Sequence, residues 1–189
     1  MKFKYLFLAF IIIAVTSCKK EATVTIPPSI FSFDFEGTHH AFNIGQLTLQ
    51  VIDTGASKGK YLTLYTGNTS LPQVLFTIAD RTNNYGANCF SSGPYPALGS
   101  NAACHDSIMS NFCVGFFMQY TDTGVGKVGL YATNDSTSSL TLISCNNGVN
   151  GLPSTVNATF SCVLTDTTGF ISPKHITNGV LSNIIYSKN

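Results

Sequence analysis

The chain has 189 residues, of which only 10% are charged and none is tryptophan, with ten basic residues against nine acidic ones. So even a charge balance, with no basic run, excludes a surface built to hold nucleic acid. Thr, Ser, Asn and Gly are abundant and strong helix formers are scarce, a composition suited to a secreted β protein in which no helix of useful length can be read.

Lys2 and Lys4 precede an apolar run from Tyr5 to Val15, closed by Thr16, Ser17 and Cys18. That order is a signal peptide's. Eleven apolar residues are too few to span a bilayer as a helix, which takes roughly 20. Val15-Thr16-Ser17-Cys18 resembles the lipobox of bacterial lipoproteins. The resemblance implies cleavage after Ser17, a lipidated Cys18 and an outer-membrane protein held by two or three acyl chains. An ordinary signal peptide or an uncleaved anchor is the competing reading. Without Lys2 and Lys4, eight basic residues stand against nine acidic ones, a net charge of about −1.

Lys19-Lys20-Glu21 and the stretch to Ser29, with Pro27 and Pro28, show no period able to bury a face. Residues 18–30 therefore read as a tether. Charges directly after the lipidated cysteine resemble the surface-export tags of Bacteroidota lipoproteins, which implies the cell surface; the periplasmic face is the alternative.

Residues 31–189 are expected to form one domain. Phe31, Phe33 and Phe35 alternate, Glu36-Gly37 suggests a tight hairpin, and His39 to Phe42 returns. Further strands are predicted at Leu47 to Val51, Tyr61 to Tyr65, Val74 to Ile78, Phe112 to Tyr120, Lys127 to Ala132, Leu140 to Cys145, Val156 to Leu164 and Val180 to Tyr186. Asn-Gly and Thr-Gly signals separate them. The expectation is all-β: a single antiparallel β-sandwich or barrel-like domain of about nine or ten strands. Asp80 to Ser110, with Pro94, Pro96 and two cysteines, reads as a long ordered loop, and such loops are uncommon unless functional.

Five cysteines follow Cys18, in a compartment that permits disulfides. A hairpin centred between Pro153 and Ser154 would set Cys145 opposite Cys162, and a second bridge from Cys89 to Cys104 would pin the long loop. Cys113, inside an apolar strand, is then a buried inert thiol.

Catalytic readings are weighed against structural ones. Val51-Ile52-Asp53-Thr54-Gly55-Ala56-Ser57 resembles the active-site segment of aspartic proteases, and a second Asp-Thr-Gly stands at Asp122 to Gly124. Two such carboxylates would share one proton and activate a water. However, Lys58-Gly59-Lys60 follows where those proteases are apolar, and Asp-Gly turns explain both copies. Gly55 to Gly59 also fits the G-x-S-x-G nucleophile pattern, but a strand follows where the mechanics require a helix. His39 and His40 with Asp34 or Glu36 could suggest a metal site, yet adjacent strand residues face opposite ways. His105 and His175 read as solvated or structural. No catalytic set, metal site or cofactor is therefore assigned, with Asp53 as the hydrolase alternative.

Asp106-Ser107-Ile108, Asp135-Ser136-Thr137 and Asp166-Thr167-Thr168 resemble the short acceptor sequence for O-glycosylation in Bacteroidota. From Leu140 to Tyr186 the chain resembles a family of small Bacteroidota surface lipoproteins of unknown function. Val156 to Ser161 stands where that family has a Gly-Thr-Phe-Ser-Phe type strand, with Ala158 in place of a usual glycine. Ile176 to Val180 precedes a last strand, and Phe33 to Gly37 with Ala41-Phe42 is similar to the opening hairpin. The resemblance implies a β-rich surface lipoprotein and transfers no active site; the cysteines are not part of it. Binding of a glycan or protein is the expected role, with Tyr85, Phe90 and Tyr95 as aromatic platforms in the long loop. A structural envelope protein is the other non-enzymatic reading.

Overall fold

Alternation of apolar and polar residues is carried through into burial. In Ser154–Asp166, Val156, Ala158, Phe160, Cys162 and Leu164 are buried, whereas Thr159 and Ser161 between them are exposed. The computed structural model describes residues 25–52, 58–66, 72–82, 89–91, 94–96, 112–119, 130–132, 138–149, 152–166 and 172–188.

Eleven strands and no helix occur among these residues. They are β1 (Ser29–Phe35), β2 (Thr38–Ile44), β3 (Leu47–Ile52), β4 (Gly59–Tyr65), β5 (Gln73–Asp80), β6 (Pro94–Pro96), β7 (Phe112–Gln119), β8 (Leu130–Ala132), β9 (Ser139–Asn146), β10 (Ser154–Asp166) and β11 (Lys174–Lys188). β6 and β8 have three residues each. β6 lies inside the stretch expected to be loop; it pairs with β9 through Tyr95↔Leu140.

The strands form one eleven-stranded sheet folded into two facing layers, whose aromatic rings meet across the core. One runs β2-β1-β11-β10-β9-β6 and the other β3-β4-β5-β7-β8. They are joined where the C-terminal end of β11 pairs with β3 and the C-terminal end of β10 pairs with β8, over three residue pairs each. This is a sandwich-like all-β domain. The β11–β3 pairing is parallel, so the sheet is mixed where an antiparallel one was expected. β1 also begins at Ser29, inside the expected tether. The Ser29 hydroxyl donates to the Asn183 carbonyl (2.7 Å) and accepts from the Ile185 amide (3.2 Å).

Phenylalanines from both layers meet in the core. Phe31 of β1 stacks on Phe160 of β10 at 5.5 Å, and Phe76 of β5 lies 5.0 Å from Phe160. Phe33 meets Phe116 of β7 edge-on at 5.9 Å. Each buried ring contributes about 1.5–3 kcal/mol by leaving water, with the ring contacts adding about 0.5–1.5 kcal/mol per pair. The first hairpin turns at Glu36 (φ 50°) and Gly37 (φ 77°), the two positive φ values a two-residue type I′ turn requires.

β11 is long and changes phase twice. Its inward residues run Ile176, then Gly179 and Leu181, then Ile184 and Tyr186, so spacing by two is interrupted by two steps of three. Asn178 (φ 50°) and Asn183 (φ 51°) sit at the steps, each in the left-handed region that Asn tolerates. Each extra residue makes a bulge against β10, which keeps the apolar set facing inward. Asn178-Gly179, read as a turn ahead of a last strand, therefore lies inside one. Phe160 covers Gly179: a Cβ there would come within 2.5 Å of the Phe160 carbonyl oxygen and 2.7 Å of its ring.

Candidate functional site

Among the described residues, a buried cluster of charged and polar side chains lies at one end of the core. Lys60 shares a strand face with Leu62 and Leu64, and Asp80 shares one with Phe76 and Ile78. The ladder sets Lys60 directly opposite Asp80, with Nζ 3.3 Å from Oδ2 and both side chains fully buried. Lys60 also donates to the Cys89 carbonyl, and its ammonium lies 6.0 Å from the centre of the Phe90 ring. Asp80 accepts from the Thr82 amide (3.0 Å), the Thr82 hydroxyl (2.6 Å) and the Ser91 amide (2.7 Å). The Tyr95 hydroxyl donates to the Ser91 carbonyl at 2.6 Å.

Cys89 and Cys145 form a disulfide beside this cluster, with Cα atoms 5.6 Å apart. The Phe90 amide donates to Cys145 Sγ (3.3 Å), and the buried Tyr186 hydroxyl lies 3.2 Å from the same sulfur. Burial pushes the Tyr186 phenol up to about 12 and raises that of Tyr95 as well, with the Asp80 charge adding to the latter. Burial alone would raise Asp80 too. The hydrogen bonds from Thr82 and Ser91 outweigh it and hold the carboxyl below its ordinary value.

These contacts explain what the cluster does. Residues 89–91 lie outside any strand, so their backbone groups need partners other than a ladder. Lys60 supplies a donor to Cys89, Asp80 an acceptor to Ser91, and Tyr95 a donor to the Ser91 carbonyl. The cluster stands in for a missing strand. Lys60 and Asp80 have no exposed surface, so neither is presented to a substrate as nucleophile or base. The signal was present in the sequence: Lys60-x-Leu62-x-Leu64 and Val74-x-Phe76-x-Ile78-x-Asp80 each end an inward-facing alternation on a charge.

The cysteine expectations are corrected. Cys145 pairs with Cys89, and Cys162 is a free buried thiol pushed up to about 12 by burial. The β9–β10 register places Cys145 opposite Val156, and Cys162 lies across from Ile176 of β11. The hairpin is centred earlier than Pro153 because the Leu152 amide closes a turn onto the Val149 carbonyl (3.0 Å). Pro153, with no N–H, precedes β10. Cys104 lies outside the described residues. Cys113 is in β7 opposite Ala79, its side chain outside the described set.

Two of the expected aromatic platforms are also corrected. Phe90 is 5% exposed and Tyr95 0%, because the segment they sit on is drawn into the core by Lys60 and Asp80. They are packing residues. Tyr85, Asp53, Asp122, Cys18 and the whole leader lie outside the described residues, as do two of the three glycosylation-like triplets. Asp166, from the third, ends β10. Gly59 opens a strand, so the G-x-S-x-G segment lacks its helix.

At the first hairpin, His39 Nδ1 lies 2.6 Å from Asp34 Oδ1, and Asp34 Oδ2 accepts from Asn178 at 2.8 Å. Those hydrogen bonds, from Asn178 first and then His39, hold Asp34 below the usual carboxylate range. His40 packs against Phe33 at 5.5 Å; partial burial, with His39 adding, pushes its imidazole down against the pull of Asp34. Lys174 pairs with Glu36 at 3.0 Å. Among the described residues no group of three His, Cys, Asp or Glu could hold a metal.

Two depressions face outward on the β9–β11 side. One, of about 380 Å³, is lined by Ser139, Thr141, Thr159, Ser161 and Asn178 around Gly179 and Phe160. The other, of about 560 Å³, is bordered by Ile26, Pro27, Val149, Leu152 and Pro153. No family model matches the chain, and no curated protein or solved structure matches it.

Proposed function

We propose that this chain is an exported, lipid-anchored cell-envelope protein whose β domain is a binding or structural module rather than an enzyme. The observation that carries this reading is the Cys89–Cys145 disulfide in a chain that opens with an export-type segment ending at Cys18. Disulfides persist in oxidising compartments outside the cytosol. The lipid on Cys18 would anchor the domain to the outer membrane, at the cell surface or its periplasmic face.

For a ligand, the depression over Gly179 is the better candidate than the long loop. Its hydroxyl and amide side chains project from one sheet face and suit a neutral, hydrogen-bonding partner such as a glycan or a polar protein edge. A glycan array and capture of envelope proteins, each run with native and Thr159→Arg protein, test this. Binding lost in the variant supports the depression; equal binding by both removes it. For the anchor, intact mass of membrane-extracted protein should show diacylglycerol on Cys18, and Cys18→Ala should move the protein to the soluble fraction.

A further inference from the structure

Five large apolar side chains are exposed among the described residues: Ile26, Tyr65, Ile143, Val149 and Leu152. Three of them, Ile26 at 47%, Val149 at 60% and Leu152 at 45%, border the same open depression of about 560 Å³. Pro27 and Pro153 complete its apolar rim, and every residue lining it is uncharged. A solvent-facing cluster of this kind marks a contact surface.

Its place in the chain says what it contacts. Ile26 and Pro27 belong to the segment that leads back to Cys18, and only seven residue steps separate Cys18 from Thr25. A fully extended chain spans at most about 3.6 Å per residue, or about 25 Å in all. A lipid on Cys18 therefore keeps this end of the domain beside the bilayer. Lys19 and Lys20 directly follow Cys18 in the sequence, and basic residues next to a lipid anchor are favoured by anionic lipid.

We propose that the β9–β10 turn and the entering N-terminal segment form a membrane-contact surface, with Ile26, Val149 and Leu152 seated in the lipid interface. This rests on the lipid-anchor reading and adds an orientation to it. The Glu36–Gly37 hairpin, at the far end of β1 from Ser29, then points away from the membrane. Apolar groups of interfacial elements sit roughly 5–10 Å into the headgroup and acyl boundary, so no spanning segment is needed.

The absence of tryptophan makes the test direct. Full-length lipidated protein carrying Leu152→Trp, and separately Val149→Trp, is extracted from membranes and reconstituted in vesicles of phosphatidylethanolamine and phosphatidylglycerol containing brominated phosphatidylcholine. Thr38→Trp, exposed at the far hairpin, serves as the reference. The expected result is blue-shifted emission, quenched by the brominated lipid, at 152 and 149 and solvent-like, unquenched emission at 38. Solvent-like emission at all three positions, in protein that floats with the vesicles and carries lipid on Cys18, overturns membrane contact while leaving the anchor standing. Emission at 152 that is shielded from acrylamide but insensitive to bromine assigns the surface to a second copy and also overturns it. Protein without lipid on Cys18 overturns both readings together.

Discussion

Lys60 and Asp80 face each other across β4 and β5 with Nζ and Oδ2 3.3 Å apart and no exposed surface on either side chain. A buried ion pair gains little over a well-packed apolar pair unless its remaining groups are also satisfied. Here they are, and the partners are the backbone of residues 89–91.

Removal of one partner should therefore be severe. Lys60→Met leaves Asp80 buried without its cation, and a loss of about 3–5 kcal/mol is expected by chemical denaturation. Asp80→Leu should cost a similar amount. The double variant Lys60→Met with Asp80→Leu should recover only part of the loss, because the Cys89 carbonyl and Ser91 amide stay without their partners. Full recovery would show that the pair serves no backbone role.

Acid should expose the same site. Asp80 is held below its ordinary value near 3.8, so the folded state favours its charged form. Its stabilising contribution is complete above that value and is lost as pH falls through the lower folded one. Asp34 adds a contribution of the same sign. Denaturation midpoints should fall steeply below about pH 4, and Asp80→Asn should be less stable at neutral pH with a flatter acid limb. A limb as steep as the native one would remove Asp80 from the account.

Peptide mapping without reductant should recover Cys89 linked to Cys145 and Cys162 as a free thiol. The bridge spans 56 residues of sequence, and chain-entropy arguments give about 4 kcal/mol for a loop of that length. Reduction should lower stability by an amount of that order. Iodoacetamide should leave Cys162 unmodified in the folded protein, since the thiol is buried and pushed up to about 12, and should label it on unfolding.

The two bulges of β11 predict a contrast between substitutions. Asn183→Gly should be nearly neutral, whereas Asn183→Val should cost about 1–2 kcal/mol, because a branched residue is strained at φ 51°. Gly179→Ala should cost about 1–3 kcal/mol through collision with Phe160. Thermal melts of the three variants, compared at equal protein concentration, check this.

The period-two runs at Phe31 to Phe35 and Val156 to Leu164, and the Glu36-Gly37 turn, were legible because alternation and turn chemistry are local properties of the chain. Export and lipidation are likewise expectations written in the first eighteen residues. What the sequence could not decide is register. Moving the β9–β10 turn a few residues takes Cys145 away from Cys162, and the Asn178-Gly179 pair that signals a turn can equally make a bulge inside a strand. Which cysteine meets Cys89, and whether Phe90 and Tyr95 face water, depend on how Lys60 and Asp80 draw residues 89–91 against the end of the core. Those are contacts between segments far apart in the chain, and only the tertiary structure brings them together.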